Sequence, residues 1–530
     1  MSTAKNGLDK KHCIHLKDGH FSPDTETQAG DIESLLETYK ASDSPAGLVV
    51  HFHGGLVSYA SGKGIAEALT PVYQAAGAYP LFFVWEAGPL ETISNNLEDI
   101  GQEKIFREFV RKAIDFALRR LKSAVGTKGA GGQAVNSQAV TRAVDEWFEG
   151  GAVAVPFEDF TLPATGARTR AAQVARDEIL QEEIQADLES DPRFRSAIEA
   201  VSNGLLPPGE STSTRGVGTK AATSTLMDPK ALGEMVEVTV RGNRGGISLM
   251  KVAVAIAQIV AKVVGRFFAG RDHGLYGTVV EEVLRKCYIG DLGKGLFWNQ
   301  MKKDTADAFM ENIEPGREPG GTMLLKALAD HFAKNIPESS LPRVTLVGHS
   351  TGAVYICNLL AAAGRWLPAG FKFDIVLLAP AVSFERFSAC MAANGKWVGG
   401  VRLFGMKDEV ERKDAMAQGG LGSVARLVYP HSLLYFVSGL LEDEVEDKPD
   451  HPILGMQRFY ERKDVFDATD FPEVEQARRF FASPPKRCIV WSEVHEGNGL
   501  ASASKAHGDF DGDKDTLASV QWLLRNGFGA

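Results

Sequence analysis

The sequence predicts an α/β fold: a mostly parallel sheet covered by helices on both faces, interrupted by a large, mainly helical cap insertion. Three observations carry this. Short apolar runs bounded by turn residues fall into two groups, within residues 47–85 and 344–491. Helical patterns alternate with those runs, the arrangement that parallel strands need for their crossovers. Between the groups, residues 88–337 become helical and irregular. The sheet domain is therefore expected at 1–87 and 338–530, and the insertion at 88–337.

In chain order, Gly47–Phe52 (GLVVHF) and residues 80–85 (PLFFVW) read as strands around GIAEALTPVYQAAG, a helix with a glycine stop. The second group opens with the strand 344–347 (VTLV) and a helix over 353–363. Strands follow at Phe373–Leu378 (FDIVLL), 401–406 (VRLFGM) and 488–491 (CIVW), then a closing helix over 516–524. Residues 431–443 (HSLLYFVSGLLED) are ambiguous in period and are assigned to a helix on length. In the insertion, 103–121 and 171–188 are amphipathic, whereas 127–133 and 207–219 are rich in Gly, Ser or Thr and read as loops.

Composition narrows the function classes. Of 530 residues, 44% are hydrophobic and 24% charged, which excludes a disordered, collagenous or disulfide-framework chain. Lys+Arg 58 against Asp+Glu 68 leaves a net charge of −10, so no global positive field gathers phosphates, and nucleic acid is not an expected partner. Cys13, Cys287, Cys357, Cys390 and Cys488 are scattered with no C-x-x-C pair, which suggests neither a disulfide scaffold nor a zinc site and fits a reducing compartment. The first twenty residues carry charges throughout and show no secretory apolar stretch, so a cytoplasmic location is expected. Residues 247–268 are the most apolar segment, but Lys251, Gln258 and Lys262 interrupt it; a buried or interfacial helix is expected and no transmembrane segment.

Chemistry concentrates in four places. Gly348-His349-Ser350-Thr351-Gly352 follows a strand and precedes a helix-forming run, the context of a nucleophile elbow. Its glycines are explained by sterics, because side chains two residues either side of the serine would meet neighbouring backbone. At the end of the first core strand, His51-Phe52-His53-Gly54-Gly55-Leu56 can turn backbone N–H groups toward an oxyanion. Gly54 would shape that turn, Gly55 or Leu56 would supply one donor, and the N–H of Thr351 the second. A general base is expected late in the chain; His507, in the loop after the last strand, is preferred over His495, His431 and His451. An acid is expected after VRLFGM, where Asp408 is preferred over the nearby Glu411, with Glu409 and Asp414 also close.

Together HFHGGL, FFVWEAG, GHSTG and the AHGDFDGDKDT loop resemble the α/β-hydrolase superfamily, in particular serine esterases and lipases. The resemblance implies a Ser350/Asp408/His507 triad and an oxyanion hole at Gly55, Leu56 and Thr351. The expected activity is a serine carboxylesterase acting on a small-molecule ester with an uncharged acyl group, without metal or organic cofactor. The same triad would serve an amidase or carbamate hydrolase, and a non-catalytic hydrolase-like scaffold is the alternative from another class. Within the insertion Tyr276, Phe297 and Trp298 are candidates to line a substrate pocket, against the plainer reading that they pack the insertion. Oligomeric state has no signature in the sequence.

Overall fold

The computed structural model describes residues 10–86, 90–125, 136–150, 154–162, 178–204, 225–238, 245–289, 298–335, 343–415, 423–442 and 450–529. The predicted loops 127–133 and 207–219 lie outside the described residues. The chain divides into two compact units. One comprises Met1–Thr92, Gly295–Asp414 and Ser432–Ala530; the other comprises Ile93–Lys294 and Ala415–His431. The excursion from the sheet thus returns at Gly295 and not at 338, and residues 415–431 form a second excursion that the sequence pattern did not indicate.

The first unit is built on a seven-stranded sheet. Its strands are β1 (Cys13–Leu16), β2 (Gly47–Phe52), β3 (Ala78–Trp85), β4 (Val344–His349), β5 (Phe373–Leu378), β6 (Val398–Gly405) and β7 (Arg487–Trp491). The spatial order is β1-β3-β2-β4-β5-β6-β7, and every neighbouring pair is parallel. All residues of β2, β3 and β4 are buried, which explains why these strands read as continuous apolar runs and not as alternating ones. Strand β1 escapes the sequence pattern because CIHL is four residues long and carries a histidine; it is recognisable only through its pairing with β3.

Seven helices of this unit matter here: α1 (Asp31–Ala41), α2 (Tyr59–Ala75), α3 (Gly320–Asn335), α4 (Gly352–Ala363), α5 (Phe384–Asn394), α6 (Pro472–Phe481) and α7 (Lys514–Asn526). On one face α2 and α7 bring Ala66, Leu69, Tyr73, Val520 and Leu523 onto Val49, Val84, Val347 and Phe404 of the strands. On the other, α4 packs on β4 and β2, where the Tyr355 ring stacks on Phe52 at 5.1 Å. The chain 431–443 does not form one helix: Leu433–Phe436 is α-helical and Val437–Leu441 is a π turn. A short hairpin, Val494–Glu496 with Leu500–Ser502, separates β7 from α7.

The second unit gathers the helices Lys104–Val125, Glu178–Ser190, Leu249–Phe268 and Leu275–Cys287. Leu249–Phe268 buries its apolar residues against Lys104–Val125 and Glu178–Ser190, and no described helix is long and apolar enough to cross a membrane. Tyr276 is part of this unit's own packing: its hydroxyl donates to Leu427 O at 2.6 Å, and its ring meets Trp147 at 5.9 Å. Phe297 lies outside the described residues, and Trp298 is buried within the sheet unit.

Buried charge crosses the interior of this second unit. The Arg266 guanidinium donates to Glu281 at 2.7 Å and to Glu282 at 3.2 Å, Arg285 pairs with Glu282 at 2.6 Å, and Tyr429 donates to Glu281 at 2.6 Å. Removing one partner of a buried pair strands the others in low dielectric. Arg266→Met is therefore expected to lower the unfolding free energy by about 3–5 kcal/mol, read from the urea midpoint.

Close backbone packing makes a second expectation. A Cβ at Gly352 would lie 2.3 Å from the Phe52 carbonyl oxygen, whereas one at Gly395 would meet nothing within 4 Å. Gly352→Ala should cost about 1–3 kcal/mol in a denaturation experiment, and Gly395→Ala should be neutral.

Candidate active site

Ser350 stands between β4 and α4 with φ +53°, in the left-handed region. Its N–H donates to Leu378 O at 2.9 Å, and its carbonyl accepts from Ala381 N at 3.0 Å and Ala353 N at 3.1 Å, so neighbouring strand ends hold the turn. A Cβ at Gly348 would lie 2.7 Å from the carbonyl carbon of Gly352, the close approach for which both motif glycines are needed. Leu56 (φ +60°) and Ala379 (φ +40°) also take positive φ, so three such non-glycine residues lie beyond the carboxyl ends of the adjacent strands β2, β4 and β5. Concentrated strain of this kind accompanies functional sites, where the surrounding structure overdetermines the backbone.

The HGGL loop lies directly against this turn. A Cβ at Gly54 would be 3.2 Å from Ser350 Cβ, and one at Gly55 would be 2.7 Å from Thr351 Oγ1 and 2.8 Å from Met301 Sδ. Among the described residues no acceptor meets the N–H groups of Gly55, Leu56 or Thr351, although Leu56 and Thr351 are buried. Buried N–H groups without a protein acceptor are uncommon, and here they sit on the two segments that meet at the strained serine.

The late histidine and the acids are placed as follows. His507 is buried, its ring centroid 5.4 Å from that of His349, and neither ring nitrogen has a hydrogen-bond partner among the described residues. No bond joins it to Ser350 in this arrangement. Asp408 accepts from the Tyr435 hydroxyl at 2.6 Å, and Glu411 accepts from the Ser432 hydroxyl. Burial pushes the Glu411 carboxyl well above its ordinary range. The acid that touches His507 is Asp414, whose Oδ2 accepts from the His507 backbone N–H at 2.7 Å. His495 instead pairs with Asp515 at the surface.

Sequence reasoning did not single out the cluster around Asp511. Asp511 Oδ2 is 2.7 Å from His349 Nδ1, its Oδ1 is 3.9 Å from His51 Nε2, and His349 Nε2 donates to His507 O at 2.9 Å. Burial would raise the Asp511 carboxyl, but the adjacent His349 ring outweighs this and holds it at about 2. Burial lowers His51 and His53 to about 4 each, so both rings are neutral. The signals were available in principle: His349 is inside GHSTG and Asp511 inside DFDGDKD, yet nothing in the spacing says that they meet.

No family model matches the chain. No curated protein and no solved structure matches it either. The functional reading therefore rests on the geometry.

Asp414 generates a pH expectation. Burial first, and the nearby Asp509 to a lesser degree, outweigh the bond from the His507 N–H and raise its carboxyl from 3.8 to about 7. The folded chain keeps this proton to higher pH than the unfolded chain, so its contribution to stability is present below pH 4 and is lost as pH rises through 7. Asp414→Asn keeps an acceptor for the His507 N–H and cannot ionise. Its melting temperature relative to the wild type should rise steadily between pH 4 and 8 in a thermal-melt series.

Proposed function

We propose that the protein is a serine hydrolase that cleaves a carboxylic ester through an acyl-enzyme on Ser350. The observation that carries the reading is the strained Ser350 turn with the Gly54-Gly55 loop packed against it, where the N–H groups of Gly55, Leu56 and Thr351 have no acceptor among the described residues. The chain order of serine, acid and histidine, each following a strand of one parallel sheet, supports the resemblance to α/β-hydrolases.

In this reading Ser350 Oγ attacks the ester carbonyl carbon while its proton passes to the neutral ring of His507. The carbonyl oxygen becomes an oxyanion held by the loop amides. As the tetrahedral intermediate collapses, the C–O bond to the alcohol breaks, and the leaving oxygen takes the proton from His507. Water then attacks the acyl-enzyme, giving one proton to His507, and Ser350 recovers its hydrogen as the acid departs. Burial, reinforced by the charge on His349, lowers the His507 ring to about 3, so the ring is neutral before the first step. Among the acids after β6, Asp414 is the one bonded to His507, through the backbone N–H and not the ring, and we take it as the acid to test against Asp408.

A non-catalytic scaffold has one observation in its favour, since the His507 ring touches neither Ser350 nor a carboxylate. A fluorophosphonate probe separates the two readings. The expected result is stoichiometric labelling that maps to Ser350, and loss of p-nitrophenyl acetate hydrolysis by several orders of magnitude in Ser350→Ala. Absence of both labelling and hydrolysis would leave the scaffold. Asp414→Asn should lower kcat more than Asp408→Asn does; the reverse ranking in steady-state assays would return the acid to Asp408.

A further inference from the structure

The bonding around two histidines differs in a way that assigns their protonation. His53 Nδ1 faces one acceptor, Gly54 O at 2.7 Å, while its Nε2 receives the Trp85 N–H at 3.2 Å, so a neutral ring satisfies both contacts. At His349 both nitrogens face acceptors: the Asp511 carboxylate at 2.7 Å and the His507 carbonyl at 2.9 Å. A neutral imidazole carries one N–H and can donate once, and a ring donating at both ends carries two protons. The site is buried, with His349 at 7% exposure, and a buried cation needs an adjacent anion; Asp511 supplies it.

We propose that His349, protonated on both ring nitrogens between Asp511 and the carbonyl of His507, is the positioning residue for the general base. The inference rests on the serine-hydrolase reading for its function but not for its geometry. The His507 peptide is then gripped from two sides, its N–H by Asp414 and its carbonyl by His349. His349 is also the residue directly before Ser350, so one side chain ties the nucleophile turn to the loop that carries the base. A hydrogen bond between an ionised donor and an ionised acceptor is shorter and stronger than a neutral one, which suits a peg that must hold a loop in register.

The titratable groups around this ring are Asp511, His51, His53 and His507, with Asp414 and Asp509 beyond the His507 peptide. Burial opposes a charge on His349, and the Asp511 carboxylate outweighs it and raises the ring above its ordinary value. His51 and His53 stay neutral beside the same carboxylate, because only His349 makes a direct hydrogen bond to it. The positive ring in turn disfavours a second proton on His507.

The test uses full-length deuterated protein with 15N-labelled histidine and reads two-bond 1H–15N correlations at about pH 8, where an ordinary histidine is neutral. One histidine should show two protonated ring nitrogens and a strongly downfield proton, and that signature should vanish in His349→Gln. In Asp511→Asn it should become titratable, and fluorophosphonate labelling of Ser350 should slow at least tenfold with the circular dichroism unchanged. A wild-type spectrum with neutral histidines only would overturn the proposal whatever the variants do. Labelling of Asp511→Asn at the wild-type rate would overturn the positioning role. Wild-type protein that neither labels nor hydrolyses esters would sink the hydrolase reading alone, because the spectrum decides the state of His349 without it.

Discussion

Gly352 lies so close to the end of β2 that a methyl group there would overlap the Phe52 carbonyl, and much of the site follows from that contact. It lets α4 begin shortly after β4, with only Ser350 and Thr351 between His349 and Gly352 to make the turn, and Ser350 at positive φ. It also brings the chain after β2, with Gly54 and Gly55, against Ser350 and Thr351. The unpaired N–H groups around the serine are a consequence of the same packing.

The electrostatics of the site repeat the theme of one contact setting several others. Asp511 is anionic because His349 is beside it, and His51, His53 and His507 are neutral because they are buried without a carboxylate in hydrogen-bond contact with their rings. A single buried ion pair thus separates four clustered histidines into one charged ring and three neutral ones. The second unit uses buried charge differently, with Arg266 and Arg285 offsetting Glu281 and Glu282 inside a helical core. There the charges are matched to each other.

The strands of the sheet were legible where they are buried on both faces. GLVVHF and FDIVLL were placed to the residue, because continuous apolar runs bounded by turns have little other use. CIHL was too short and too polar to stand out, and 431–443 has the length of a helix but changes to a π turn after Phe436. The domain boundary was misplaced at its return, since α3 is an amphipathic helix like those of the insertion. Only its packing against α1 and α4 assigns it to the sheet unit.

For the site, the sequence by itself determined the local parts: GHSTG after a strand, HGGL after another, and a histidine in the loop after the last. Each of these is a short-range pattern in which the spacing of glycines and the nucleophile follows from backbone sterics. Only the tertiary structure decided which carboxylates meet which histidines. Asp408, Glu411 and Asp414 lie within seven residues, and the short helix Asp408–Glu411 with the turn after it sends them to Tyr435, Ser432 and the His507 amide respectively. Asp511 and His349 are 162 positions apart and meet because β4 and the loop before α7 end at the same edge of one parallel sheet. Contacts of that range depend on strand order and helix packing summed over the whole unit, which no local pattern encodes.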